Sequence, residues 1–326
     1  MNAADDTTGP VDLVDEPAVW ASLRPHLRPV TLVDSKPLSV ALGADVLLAS
    51  EAYQHTGSFK LRAAMAAALQ YGGPHLLAGS SGNFGAALAY ACKRLGYRCT
   101  VVMPHDSSPL KIDAVRSHGA DVDLVDTRVV SRKARIAELS STLTGVRVVS
   151  AFDDPFVIAG NASLGMEIFA VDQPDIVIAP IGGGGLCSGL VHARTQAGAR
   201  AEVWAAEPAI CNDAARSLRA GVISHNDHEA NTLCDGARTL SLGQRNFSIL
   251  RRGLAGVIEV SEERVADAVR LLSSQANVKA EPTAALSVAA LLQDPARFAG
   301  KKVVCVISGG NVEPALYARL LAGANA

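Results

Sequence analysis

Apolar runs of strand length alternate with stretches of helical periodicity along most of the chain. Val46-Leu47-Leu48, Leu76-Leu77-Ala78 and residues 100–103, 122–125, 146–149, 176–179, 203–206, 257–260 and 303–307 read as strands, the most apolar of them as strands buried on both faces. Helical patterns fall between them. The alanine-rich run 63–69 favours helix, because alanine, leucine and methionine lose little on helix formation. Ser261 N-caps another helix, with Glu262 and Glu263 in its first turn and Val265, Ala268, Val269 and Leu272 as its apolar stripe. This alternation predicts an α/β fold of mostly parallel, twisted sheets with helices on both faces. Gly72-Gly73-Pro74 and Asp153-Asp154-Pro155 punctuate the chain, and about four strand–helix units lie between them. Two domains are therefore expected: a small α/β domain of residues 74–151 inserted into a larger one of residues 1–73 and 152–326. Residues 1–15 read as a solvated arm.

Composition narrows the function. Hydrophobic residues make up 49% of the 326 residues and charged residues 19%, enough for a substantial core. A formal net charge of -2 and an aromatic content of 4% argue against a nucleic-acid partner. The 6 cysteines, none in C-x-x-C spacing, read as reduced thiols of a cytoplasmic protein. Residues 1–10 lack the basic and apolar regions of a secretory signal. No apolar run approaches the length of a membrane span, so no membrane partner is expected.

Glycine-rich turns carry the candidate chemistry. They are Thr56-Gly57-Ser58-Phe59-Lys60, Ser80-Ser81-Gly82-Asn83-Phe84-Gly85, Gly182-Gly183-Gly184-Gly185 and Ser308-Gly309-Gly310-Asn311, each closing an apolar run. Together they suggest a large anionic cofactor held by backbone amides. Lys60 stands at a helix start beside apolar neighbours, where an amine is kept partly neutral and nucleophilic towards aldehydes. Residues 182–185 follow a strand and precede a helix start near Leu186, which makes an anion site reinforced by the helix dipole. A tight structural connection competes with this reading, but consecutive glycines are costly in entropy. A dinucleotide loop fits poorly, since the final position of G-x-G-x-x-G falls on Cys187 or Ser188; only Glu207, placed like a ribose acid, favours it. The turn 80–85 offers N–H groups and hydroxyls to a carboxylate, or is an ordinary serine N-cap. His225 and His228 lack further ligands at a zinc spacing.

In order and approximate spacing these motifs resemble the fold type II pyridoxal-phosphate enzymes, most closely the threonine/serine dehydratase and serine racemase branch. The likeness extends to Asp153-Asp154-Pro155, Ala159-Gly160, Glu207-Pro208, Cys234-Asp235-Gly236 and Glu281-Pro282-Thr283-Ala284. It implies a tryptophan synthase beta-like fold and pyridoxal 5'-phosphate as cofactor. It implies that Lys60 forms the internal Schiff base and shuttles the α-proton, and that Phe59 packs beside the cofactor. Asn83 would hydrogen-bond the ring hydroxyl, Gly182, Gly183, Gly184 and Gly185 would cradle the phosphate, and Ser308 would face the pyridine nitrogen. Ser80, Ser81, Gly82 and Asn83 would receive the substrate carboxylate, and Ser81 matches the opposite-face acid/base of the racemases. Glu207, Cys211 and Asp213 match the spacing of a divalent-metal site in that branch, with a backbone carbonyl from the middle position, and carboxylate and carbonyl oxygens suit Mg²⁺ or Ca²⁺; a solvated acidic loop is the competing reading.

The activity implied is elimination of water from a small, threonine- or serine-like L-β-hydroxy amino acid, giving a 2-oxo acid and ammonia. Racemisation and β-replacement are alternatives on the same scaffold. A non-catalytic cofactor-binding protein is the competing class, and the joint presence of Lys60, Asn83 and Ser308 speaks against it. The implied partners are a small amino acid and a second copy of the chain, as a homodimer. Phe84 stands where histidine is common in the branch, and Asn161 where glutamine is common. Both are expected near the substrate, with Phe84 favouring an apolar or compact β-substituent. His55 is expected to touch the site. No C-terminal regulatory domain of the biosynthetic threonine dehydratase kind is expected after the last motif.

Overall fold

The computed structural model of the chain describes residues 14–80 and 82–323. The expected N-terminal arm therefore lies outside the described residues up to position 13, and so does Ser81. The described strands are β1 (Thr31–Asp34), β2 (Asp45–Ser50), β3 (His75–Gly79), β4 (Arg98–Pro104), β5 (Asp121–Val125), β6 (Val146–Val148), β7 (Ile176–Pro180), β8 (Glu202–Pro208), β9 (Gly256–Val260) and β10 (Lys302–Ile307). They form a six-stranded sheet in the order β1-β2-β10-β7-β8-β9 and a four-stranded sheet in the order β5-β4-β3-β6. All pairings are parallel except that of β1 with β2. Every strand expected from the apolar runs is present. Strand β1 was not expected: it is a half-exposed edge strand of mixed polarity, so its residues carry no continuous apolar signal.

Both faces of the large sheet are covered. Ile176 and Ile178 of β7 pack in one core cluster with Val303, Cys305 and Ile307 of β10, while Val177 and Ala179 pack in another with Val304 and Val306. Period-two alternation within uniformly apolar strands is what sheet burial on both sides requires. Ser261 caps the Glu262–Ala276 helix by accepting from Arg264 N, and the expected stripe of Val265, Ala268, Val269 and Leu272 is buried.

Strand register positions the motifs. Ile307 lies opposite Ser50, so β2 and β10 leave the sheet side by side. Glu51 N then donates to the Ile307 carbonyl at 2.9 Å, and Phe59 N to the Ser308 carbonyl at 2.9 Å. The turn 182–185 leaves β7 at the same end of the sheet, with Ile181 N donating to the Ala206 carbonyl. The carboxyl ends of parallel strands are where open α/β sheets form clefts.

The Pro155–Val171 helix is the central spacer. It is apolar nearly all round, as a helix buried on several sides must be. A methyl on Gly160 would lie 2.4 Å from the Arg62 carbonyl oxygen, so this helix touches the backbone of the Lys60–Tyr71 helix. On its other side, a methyl on Gly189 of the Gly185–Gln196 helix would lie 2.6 Å from Ala162 N. Arg62 ties the first contact down. Its fully buried guanidinium donates twice to Glu51 at 2.8 Å, to Glu167 at 2.8 and 3.1 Å, and to Ser163 at 3.1 Å. Burial opposes the charge, but the two carboxylates raise the Arg62 pKa above its ordinary value. Loss of one partner from such a network costs about 3–5 kcal/mol, because a buried charge is left unmatched.

Candidate active site

The separate glycine-rich turns converge. Ser58 bridges to Gly309, Gly310 N donates to the Gly57 carbonyl at 3.0 Å, and Asn311 Nδ2 donates to the Thr56 carbonyl at 2.9 Å. The approach at Gly57 needs glycine twice over: its φ is +72°, and an added methyl would lie 2.3 Å from Asn311 Oδ1. The turn 80–85 joins through Asn83. Asn311 Nδ2 donates to Asn83 Oδ1 at 2.8 Å, and Asn83 Nδ2 donates to the Glu281 carboxyl at 2.9 and 3.1 Å.

Lys60 begins the Lys60–Tyr71 helix. Its Nζ donates to the Ala151 carbonyl at 3.0 Å and stands 5.0 Å from the Phe59 ring centre and 5.7 Å from that of Phe84. Removal from water lowers its pKa from 10.5 to about 8, against the charge of Glu281, which raises it. An amine so placed is part-neutral near neutral pH and serves as nucleophile or base.

Phe152, the residue after Ala151, carries the geometry from Lys60 to the glycine turn. A methyl on Gly183 would lie 2.3 Å from the Phe152 ring, and one on Gly185 would lie 2.9 Å from the Phe152 carbonyl oxygen. Gly184, with φ +95°, precedes the Gly185–Gln196 helix. Asn246 Nδ2 locks this arrangement by donating to the Phe152 carbonyl at 3.0 Å and to the Gly183 carbonyl at 2.8 Å. Asp153 in turn accepts from Gln244 N and Arg245 N, both at 3.0 Å, and so caps the Gln244–Gly253 helix that carries Asn246. Several buried polar atoms around the turn lack a partner: Ser188 Oγ, Asn161 Oδ1 and Thr239 Oγ1. Thr239 Oγ1 is 3.4 Å from where a Gly182 methyl would be. A side-chain-free cradle at a helix N-terminus, ringed by unsatisfied donors and acceptors, fits an anionic group.

Other expected residues take different places. The Ser80 hydroxyl accepts from Gly82 N at 3.2 Å and from Gly85 N at 3.0 Å, so it anchors the first turn of the Asn83–Leu95 helix. Ser308 is buried beside Phe59. Phe84 is buried in the core cluster of that helix as well as facing Lys60. His55 is exposed and stacks on Tyr90, with ring centres 5.6 Å apart. Glu207 accepts from Ala215 N at 2.7 Å and Ala214 N at 3.2 Å, at the start of the Asp213–Ala220 helix. Asp213 Oδ1 accepts from Asn226 at 2.9 Å, while its Oδ2 is buried without a partner. The Cys211 thiol points to the Ala237 carbonyl. Among the described residues no group of three or more His, Cys, Asp or Glu side chains is placed to hold a metal, so the expected ligand set gains no support from geometry.

Sequence reasoning gave no role to Glu281, Phe152, Asn246 or Lys111. Glu281 is 6% exposed and its pKa is raised to about 8, first by burial and then by Asp235, against the opposing influence of Asn83, Lys111 and Lys60. Lys111, on the Pro109–Arg116 helix, pairs with Asp235 and so bridges the region of the small sheet to the 222–243 segment. A Glu directly before a helix-starting proline was the one local signal for Glu281.

The chain is similar to known proteins over most of its length. The family described as "Pyridoxal-phosphate dependent enzyme" matches residues 23–309. The L-threo-3-hydroxyaspartate ammonia-lyase of Saccharomyces cerevisiae is 32% identical over 306 residues, covering 92% of this chain and 93% of the relative. The serine racemase of Schizosaccharomyces pombe is 33% identical over 283 residues, covering 85% and 87%. Among solved structures, a T.th. threonine deaminase superposes with a TM-score of 0.87 at 38% identity, covering 92% of this chain and 98% of that one. Maize serine racemase superposes with a TM-score of 0.88 at 26% identity, covering 94% and 96%.

Proposed function

Because the chain belongs to the pyridoxal-phosphate dependent enzyme family, we propose that it is an ammonia-lyase that removes water from a small L-β-hydroxy amino acid, releasing a 2-oxo acid and ammonia. One observation carries the reading: the Lys60 amine and the glycine cradle are joined through two consecutive residues, Ala151 and Phe152. Pyridoxal phosphate, when bound, supplies the aldehyde and the electron-withdrawing ring that make an α-proton removable. The chain's part is to place groups around it. Backbone N–H groups of residues 182–185 would hold the phosphate, Ser308 and Asn83 would flank the ring, and Lys60 would take the α-proton. In the structure Asn83 Nδ2 donates to the Glu281 carboxyl and Asn83 Oδ1 accepts from Asn311, and the second N–H of Nδ2 would serve the ring. The turn 80–85, at a helix N-terminus, would receive the substrate carboxylate, with the Ser80 hydroxyl shaping it from beneath.

The relatives leave the substrate open, since hydroxyaspartate ammonia-lyases, threonine ammonia-lyases and serine racemases all match. The deciding experiment is a panel of L- and D-serine, threonine and 3-hydroxyaspartate, with detection of 2-oxo acid, ammonia and the opposite enantiomer. Formation of 2-oxo acid and ammonia from at least one L-substrate is the expected result. Inversion without elimination would make the protein a racemase, and a cofactor-loaded protein inert on the whole panel would make it a binding protein.

The domain division belongs to the same proposal. It is supported by the four-stranded sheet, whose strands all come from residues 75–148. So does a homodimer, which light scattering reads directly. A divalent ion at Glu207, Cys211 and Asp213 rests on the single unpartnered oxygen, Asp213 Oδ2. Among the described residues, no helix is long and apolar enough to cross a membrane.

A further inference from the structure

Glu281 stands where the turns meet, yet nothing in the proposed reaction uses it. Its carboxyl receives the Asn83 amide on both oxygens, and its own N–H donates to the Gly309 carbonyl at 3.1 Å. A methyl on Gly309 would lie 2.7 Å from Glu281 Oε1 and 2.9 Å from Ser58 Cβ. The carboxyl and the turn leading to Lys60 therefore face each other across a bare glycine. The charges of Asp235, Lys111 and Lys60 act on the Glu281 carboxyl through space. Lys111 and Asp235 pair with each other, in a partly exposed position. Glu281 is the buried acid among them, and Lys60, itself partly exposed, is the amine at the start of its helix.

We propose that Glu281 is the positioning residue of this site: its carboxyl aims the Asn83 amide, and its charge, across the bare glycine from the turn that carries Lys60, favours the protonated amine. A carboxylic acid buried beside an amine prefers to be neutral when the amine is neutral, and ionised when the amine is charged. The two groups therefore titrate together, and a proton gained or lost by Lys60 is offset at Glu281. Asn83 donates to the carboxyl in either state, so the amide stays aimed while the charge changes. Glu281 touches neither cofactor nor substrate in this scheme. It acts through Asn83 and Lys60, and the proposal rests on the assignment of Lys60 as the reactive amine.

The test uses cofactor-free protein, so it does not depend on turnover. Acetic anhydride labelling of Lys60, followed by peptide mass spectrometry across pH and normalised to exposed Lys133, gives the amine's titration midpoint. Glu281→Gln should lower that midpoint by about one pH unit, because the carboxylate that favours the ammonium is gone. Glu281→Asp, which keeps the charge, should restore most of the shift. A midpoint unchanged or raised in Glu281→Gln overturns the proposal, and so does an equal fall in Glu281→Asp. Should Glu281→Gln fail to fold, the Asp variant decides: a midpoint at the wild-type value supports the charge role, and a fall of a full unit sinks it. Failure of the ammonia-lyase reading would show instead in the substrate panel, with these midpoints unaffected.

Discussion

The Lys60 amine lies 3.0 Å from the carbonyl oxygen of Ala151, ninety-one positions away in the chain. That contact joins the start of one helix to the loop that shapes the anion cradle. It makes Lys60 the amine on which the first prediction turns. Borohydride treatment of cofactor-loaded protein should fix the cofactor to the peptide containing Lys60. Lys60→Ala should lose about 10³-fold or more in turnover. Lys60→Arg should be equally inactive, because a guanidinium stays protonated. A label found on another lysine would reject the assignment.

Gly183 tests the cradle. The structure leaves 2.3 Å between an added methyl and the Phe152 ring, so Gly183→Ala must displace that ring or the turn. Affinity for pyridoxal phosphate, followed by visible absorbance, should fall by about tenfold or more, the equivalent of one unmade charge-assisted hydrogen bond. Gly198→Ala is the control for glycine loss, since a methyl there meets nothing within 4 Å and only the positive φ of +59° resists it. Equal affinity in wild type and Gly183→Ala would remove this turn from the cofactor site.

Stability of the cofactor-free protein should carry the signature of Glu281. Its folded pKa, about 8, is raised above the ordinary 4.5, so the folded state binds the extra proton between those values. Its contribution to stability is then fully present below about 4.5 and lost as pH rises through 8. Lys60 runs the other way. Its pKa is depressed from 10.5 to about 8, so its burial weighs on stability below 8 and the penalty lifts as pH climbs towards 10.5. The melting temperature of wild type relative to Glu281→Gln should therefore fall between pH 5 and pH 8. A difference independent of pH would contradict the placement of this carboxyl in the core.

The divalent ion is tested by melting. If Asp213 Oδ2 shares an ion with Glu207, chelation should lower the melting temperature, and Mg²⁺ or Ca²⁺ should restore it through binding to the folded state alone. At an ion concentration of 100 times the dissociation constant this is worth about 2.7 kcal/mol. Identical melting in metal-free and ion-loaded protein would leave Glu207 as the cap of the Asp213–Ala220 helix and nothing more.

The sequence showed the strands of both sheets because burial on two faces leaves unbroken apolar runs, as in β7 and β10. It did not show β1, whose partial exposure at a sheet edge removes that signal. The backbone turns were legible for a similar reason: glycine at 57, 183 and 184 is dictated by close approach or positive φ, and such needs are written in residue type. Pairings between distant side chains were not. Asn83 meets Glu281 across 198 positions, and Arg62 meets Glu167 across 105. Nothing local marks these pairings, since the proline after Glu281 signals a helix start and not a partner; what selects the partners is a vacancy in a folded interior. Ser80 shows the converse. Its serine-before-helix pattern permitted two readings, and in the structure its hydroxyl serves the helix turn.

The two glycine contacts on the Pro155–Val171 helix have a mechanical meaning. The lysine helix rests on one side of that helix at Gly160, and the cradle helix rests on the other at Gly189. The helix is a gauge block: its bare thickness sets the span between the amine and the anion cradle, and neither end can be adjusted independently. Fine tuning of that span cannot come from residues lining the site, which ride on the two outer helices. It is set instead by glycine contacts between the helices, those at Gly160 and Gly189 among them. A single carbon added at either would widen the gap, and displacement of about 1 Å is enough to cost roughly a hundredfold in rate.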